Sequence, residues 1–181
     1  MSLEGQLYSV RRMYTGLRWF SEDSLPEDLL LRGSHDRWFK ILVDANNGFG
    51  KSERFPNSPV YYDGSFGLVL AMSAVLPVSV LSFEISYLDQ SLDIVQLQRL
   101  AGAKRSLEGV IGWRRRMIET VERFARAQSI ARVRIQPAKE NVWVKSGEFD
   151  ETYAKMFYDT PAKRLKYAFK QGDPSWWVKE V

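Results

Sequence analysis

The stretch GWRRRMIETVERFARAQSIARVRI, residues 112–135, changes period part-way along. Met117, Val121, Phe124 and Ala125, joined by Ile118, recur at helical spacing and set one apolar stripe toward a core. After one polar break, Val133 and Ile135 alternate with Arg132 and Arg134, which is the period of a strand. The start of the helix is the anomaly. Its first turn carries unpaired N–H groups and partial positive charge, and Arg114, Arg115 and Arg116 add three guanidiniums there. An anion such as phosphate resolves that conflict; the alternative is that the arginines splay into water or pair with distant carboxylates. Consecutive helical residues point about 100° apart, so at most two of the three share a ligand face. Further along, Glu119 with Arg123 and Glu122 with Arg126 form acid-first i,i+4 pairs, the pattern of a solvated face.

Working outward, LSFEISY (81–87) alternates Leu81, Phe83, Ile85 and Tyr87 against Ser82, Glu84 and Ser86, and IVQLQ (94–98) follows a polar turn as its antiparallel neighbour. These two segments predict the middle of a mixed sheet, with the helix crossing to the Val133 strand. Downstream come the loop QPAKENVW, the polar excursion KSGEFDET, a helix over YAKMFYDTPAKRLKYAF (153–169), and WWVKEV as a terminal strand docked on the sheet. Upstream, residues 1–58 read as an aromatic-rich helical N-terminal layer. Ser24 caps before Pro26, and Ser34 caps a helix with Trp38, Ile41, Leu42 and Ala45 on one face, ending at Asn46-Asn47-Gly48. The chain of 181 residues is expected to be a single domain, with 59–181 as its core.

Composition narrows the chemistry. Hydrophobic residues at 45% suffice for a core, and no apolar run reaches the length of a bilayer span. There are no cysteines and one histidine, His35, so neither disulfides nor an ordinary zinc site is expected. No charged-then-apolar leader opens the sequence, and a cytoplasmic, metal-independent protein is the expectation. Net charge is +4, concentrated over 99–134 and 155–170. NNGFGKS fails the spacing of a phosphate loop, and His35-Asp36 lacks a nucleophile motif and reads better as a helix start.

The order of elements resembles the GCN5-related N-acetyltransferase (GNAT) superfamily: an antiparallel strand pair, a glycine-bearing loop, a helix, a strand ending near an asparagine, and a helix ending in an aromatic. The resemblance covers roughly residues 60–170. It implies a GNAT-like mixed central sheet flanked by helices, α/β in class. It also implies acetyl-coenzyme A, or another acyl-coenzyme A, with its pyrophosphate on the loop after the fourth strand. There RLAGAK supplies Arg99 and Gly102 of the pattern, with Lys104 where a small residue is expected. Arg105, Gly109, Gly112, Arg114 and Arg115 extend the candidate cofactor site, and Asn141 is a further candidate for the cofactor's amides. Lys166-Tyr167 stands in place of the family's Gly-Phe, which puts the general-acid column on Ala162 and Tyr158 one turn earlier.

Acyl transfer needs a base for the amine and a proton donor for the departing thiolate. Glu84, mid-strand between two serines, is the candidate base, although that pattern also describes the solvent face of a half-buried strand. Tyr158 is the candidate donor, with Tyr153 behind it. The amine acceptor, a small molecule or a peptide, is left open. The reading from a different class is a noncatalytic module whose basic third region engages nucleic acid or an acidic partner, with Trp113, Phe124, Trp143 and Tyr158 stacking bases. A homodimer is a further option, one that would bury Trp176-Trp177.

Overall fold

The computed structural model describes residues 30–32, 38–45, 50–51, 60–73, 76–86, 88–100, 112–170 and 173–181. Strands β1 (Leu30–Arg32), β2 (Trp38–Ala45), β5 (Phe66–Ser73), β6 (Leu76–Ser86), β7 (Ser91–Arg99), β8 (Arg132–Ile135), β9 (Ala168–Lys170) and β10 (Asp173–Glu180) form one sheet in the order β1-β2-β5-β6-β7-β8-β10-β9. β3 (Gly50–Lys51) pairs with β4 (Tyr61–Tyr62) apart from it. Every pairing in the large sheet is antiparallel except β7 with β8. Helix α1 (Trp113–Ala127) makes that parallel crossover, followed by α2 (Val142–Lys145), α3 (Glu151–Lys155) and α4 (Asp159–Arg164). The result is the mixed α/β class expected, a mixed sheet flanked by helices.

The centre follows the alternation of the sequence. Phe83 faces Ile94 and Ile85 faces Leu92 across β6 and β7, and Ile94 pairs with Ile135 across the parallel step. α1 covers this face: Met117, Ile118 and Val121 are fully buried, and the Phe124 ring meets Phe83 at 5.9 Å. Each such aliphatic side chain contributes roughly 1.5–3 kcal/mol. Among the described residues no helix is long and apolar enough to cross a membrane.

Three expectations are corrected. Residues 38–45 form strand β2, not a helix. WFKILVDA is also rich in aromatic and β-branched residues, and its pairing with β5 over six residues outweighs the capping signal at Ser34. The helix over 153–169 is α3, a turn, α4 and then β9. Asp150 caps α3 by accepting the Tyr153 N–H at 2.7 Å, Pro161 sits in the first turn of α4, and Lys166 adopts a left-handed φ of 64° that ends it. Lys166 thus holds the conformation that glycine favours. Lastly, the face of α1 bearing Glu122 is not solvated. Glu122 is 3% exposed and accepts from the Tyr167 hydroxyl at 3.0 Å and from Lys179 Nζ at 2.9 and 3.0 Å, because that side of the helix packs against the last strand. WWVKEV is strand as expected: Trp177 is buried, stacked on Phe169 and hydrogen-bonded to Asp159 at 2.9 Å.

Candidate active site

Strands β7 and β8 run together only from Ser91–Arg132 to Ile94–Ile135. The Gln136 N–H donates to the Ile94 carbonyl at 3.0 Å; then Pro137, which has no N–H, leads the chain into a short 3-10 turn at Ala138–Glu140. β7 continues to Arg99 paired with β6 alone. The two strands splay, and the β7 amides on the open side lose their ladder partners. One of them, the Leu97 N–H, donates to the Tyr158 hydroxyl at 3.3 Å.

Tyr158 reaches the splay from the turn between α3 and α4 and is 4% exposed. Its oxygen also accepts from Asn141 Nδ2 at 3.2 Å. The orientation of that amide is set locally, since Asn141 caps α2 and its Oδ1 accepts the Trp143 N–H at 3.0 Å. A phenol has two acceptor positions and one proton. Both acceptor positions are filled, and among the described residues no acceptor meets the proton. Burial raises the Tyr158 pKa, with the Leu97 N–H opposing and Asp63 adding to the rise, so the hydroxyl stays protonated at neutral pH.

A pocket of about 620 Å³ opens on this hydroxyl, walled by Tyr61, Asp63, Gln96, Gln98 and Trp143. Gln96, 3% exposed, staples the approach loop to the sheet: its Nε2 donates to the Tyr61 carbonyl at 3.1 Å, and its Oε1 accepts the Asp63 N–H at 3.3 Å. Gly67 fixes the same loop, because a Cβ there would lie 2.1 Å from the Tyr62 ring. The Asp63 carboxyl is shifted above the ordinary aspartate value by burial, a hydrogen bond from Trp143 Nε1 at 3.4 Å partly opposing it. A carboxylate and a phenol with an available proton therefore face one cavity. Asp63 and Gln96 escaped the sequence reading. The one signal was YYDG, an acid between aromatic residues and a glycine just ahead of a strand.

Of the residues expected at a site, Tyr158 and Asn141 come together in this pocket. Glu84 is not among its lining residues; its Oε1 accepts the Ser65 N–H at 2.7 Å and the Ser65 hydroxyl at 3.0 Å, which holds the turn before β5. Tyr153 packs its ring against Phe149 and Phe157. Gly102, Lys104, Arg105 and Gly109 lie outside the described residues. Gly112 precedes α1 with a left-handed φ of 72°, and no side chain caps the helix. The three arginines divide as their angular spacing requires. Arg115 and Arg116 share Glu119 at 3.4 and 3.6 Å, whereas the Arg114 guanidinium lies 4.6 Å from the Trp113 ring centre and 4.4 Å from that of Phe157. Its Nε is buried and has no hydrogen-bond partner among the described residues, and burial lowers its pKa, with Tyr153 opposing and Arg99 adding to the effect. Of the four rings considered for base stacking, Trp113, Phe124 and Tyr158 are buried and Trp143 alone is exposed.

No protein-family model and no curated protein matches the sequence. A solved structure described as a "putative N-acetyltransferase from Lactobacillus plantarum" superposes with a TM-score of 0.47 at 16% identity, over 79% of this chain and 98% of that one.

Proposed function

We propose that this chain is a GNAT-like N-acyltransferase that takes its acyl group from acyl-coenzyme A. The observation that carries the reading is the Tyr158 hydroxyl in the splay of β7 and β8, where it accepts from Leu97 N–H and Asn141 Nδ2, donates to no described residue and belongs to the lining of the pocket. The sheet order and the crossover through α1 agree with the resemblance in the sequence. The residues at the start of α1 also suit a pyrophosphate. Arg114 has a buried Nε without a partner among the described residues, Arg99 lies within its electrostatic reach, and the first turn holds no acid. Arg99 and Arg114 would hold that group, with Gly112 allowing close backbone approach.

The bound acyl thioester supplies an activated carbonyl. The acceptor reacts as the neutral amine, its ammonium proton having passed to solvent, and Asp63 orients it and receives the proton it sheds as the new C–N bond forms. Burial holds the Tyr158 proton more tightly than in a free phenol, so Tyr158 donates a hydrogen bond to the sulfur as the C–S bond breaks and charge develops there. The proton gathered by Asp63 then neutralises the thiolate through solvent, leaving an amide and a free thiol. Thermal denaturation with acetyl-coenzyme A, beside an assay of thiol release with an added alkyl amine, tests the reading. Stabilisation and amine-dependent release are expected; stabilisation by oligonucleotides that fades steeply with salt, with none by acetyl-coenzyme A, would favour the binding-module reading instead.

A further inference from the structure

Resting on that reading, we infer that the acceptor is a cationic, unbranched alkyl amine, of the lysine side-chain or diamine type. The sign of the pocket is the first ground. Lysine and arginine outnumber acids 26 to 22 in the chain, yet among the described residues the charged side chains lining this cavity are Asp63 and Glu148. The second is the aromatic rim. Tyr61 and Trp143 are 52% and 45% exposed, and the Trp143 indole is tethered to Asp63 by its Nε1, so its ring is held in place with surface open at the mouth. Aromatic faces beside carboxylates attract ammonium groups through the ring quadrupole, and their apolar surface suits a methylene chain. A phosphorylated or carboxylate-bearing amine would meet Asp63 and Glu148 as like charges. Depth is the third ground. Asp63 lies on the wall near Tyr158, whereas Glu148 is exposed at the polar excursion before α3, bonded to the Ser146 hydroxyl at 3.1 Å. A straight chain can present one amine to Asp63 and place a second positive group near Glu148.

Titration calorimetry of 1,5-diaminopentane into the full chain, without acyl donor, reads this directly. Binding is expected, with 1,5-pentanediol binding at least tenfold more weakly. Trp143→Leu should weaken the diamine roughly tenfold and Glu148→Gln roughly threefold; both side chains are exposed, so neither change threatens the fold. Absence of diamine binding, or equal binding of the diol, would overturn the inference. If acetyl-coenzyme A stabilises the chain while the diamine fails to bind, the acceptor class is wrong and the acyl-transfer reading stands. Diamine binding without any stabilisation by acetyl-coenzyme A keeps the cation pocket and removes that reading.

Discussion

Two buried tyrosines, Tyr158 at the splay of β7 and β8 and Tyr167 just before β9, have opposite hydrogen-bonding roles. The Tyr167 hydroxyl donates to Glu122, which also holds Lys179 and lies 3.6 Å from Arg126. Every charge there has a partner, and the network ties α1 to the last strand. The Tyr158 hydroxyl accepts twice and gives its proton to no described residue. Burial raises both pKa values, helped at Tyr167 by the Glu122 carboxylate. Burial alone therefore does not separate a structural tyrosine from the one proposed to act in transfer. The direction of the hydrogen bonds does: a closed network stabilises, while an open donor beside a cavity awaits a ligand.

Substitutions that break the comparison should have unequal effects. The largest is expected for Tyr158→Phe, which should lower kcat for thiol release roughly 10²–10³-fold, as loss of one well-placed donor does, with a shift in the urea midpoint worth only about 1 kcal/mol. Glu122→Gln should do the reverse, destabilising by roughly 3 kcal/mol in urea and leaving the acetyl-coenzyme A affinity of the folded fraction unchanged. Arg114→Ala should weaken acetyl-coenzyme A by roughly 1.5–3 kcal/mol in calorimetry, whereas Arg115→Ala, which removes an exposed partner of Glu119, should change it little. Equal small effects at Arg114 and Arg115 would remove the anion site from the account.

The smallest expected effect is that of pH through Asp63. Its folded-state pKa is raised by burial, so the folded chain keeps this proton to higher pH than the unfolded chain. Stability should fall as pH rises from the ordinary aspartate value through the raised one, and Asp63→Asn should lack that fall. Turnover should rise over the same window in the parent protein and lose its acidic limb in Asp63→Asn. A parent profile with its acidic limb at the ordinary aspartate value would assign the base elsewhere.

The centre of the fold was legible because there the period and the packing agree. Phe83, Ile85, Ile94, Val133 and the α1 stripe face one core, and each had been placed by alternation or helical spacing. Residues 38–45 misled because WFKILVDA has apolar residues at helical spacing and its neighbour in the sheet, β5, is distant in sequence. The segment 153–169 has helical composition; Pro161 does mark a fresh helix start after the turn at Tyr158, but the left-handed Lys166 that ends α4 is not revealed by its residue type. The site was half legible for a related reason. Tyr158 and Asn141 were candidates by residue type and by their place after the β8 strand, whereas Asp63 is held at the pocket by contacts with Gln96 and Trp143 across 33 and 80 positions. Glu84 matched the residue type of a base but lies beside Ser65, outside the cavity.

A crystal structure of the chain with acetyl-coenzyme A bound tests the central claim most directly. The account predicts the thioester sulfur within hydrogen-bonding reach of the Tyr158 hydroxyl in the splay of β7 and β8, the pyrophosphate at the start of α1 against Arg114, and the acyl carbon facing Asp63. A cofactor seated elsewhere, or one whose sulfur lies away from Tyr158 while the hydroxyl keeps its bonds to Leu97 and Asn141, would contradict it.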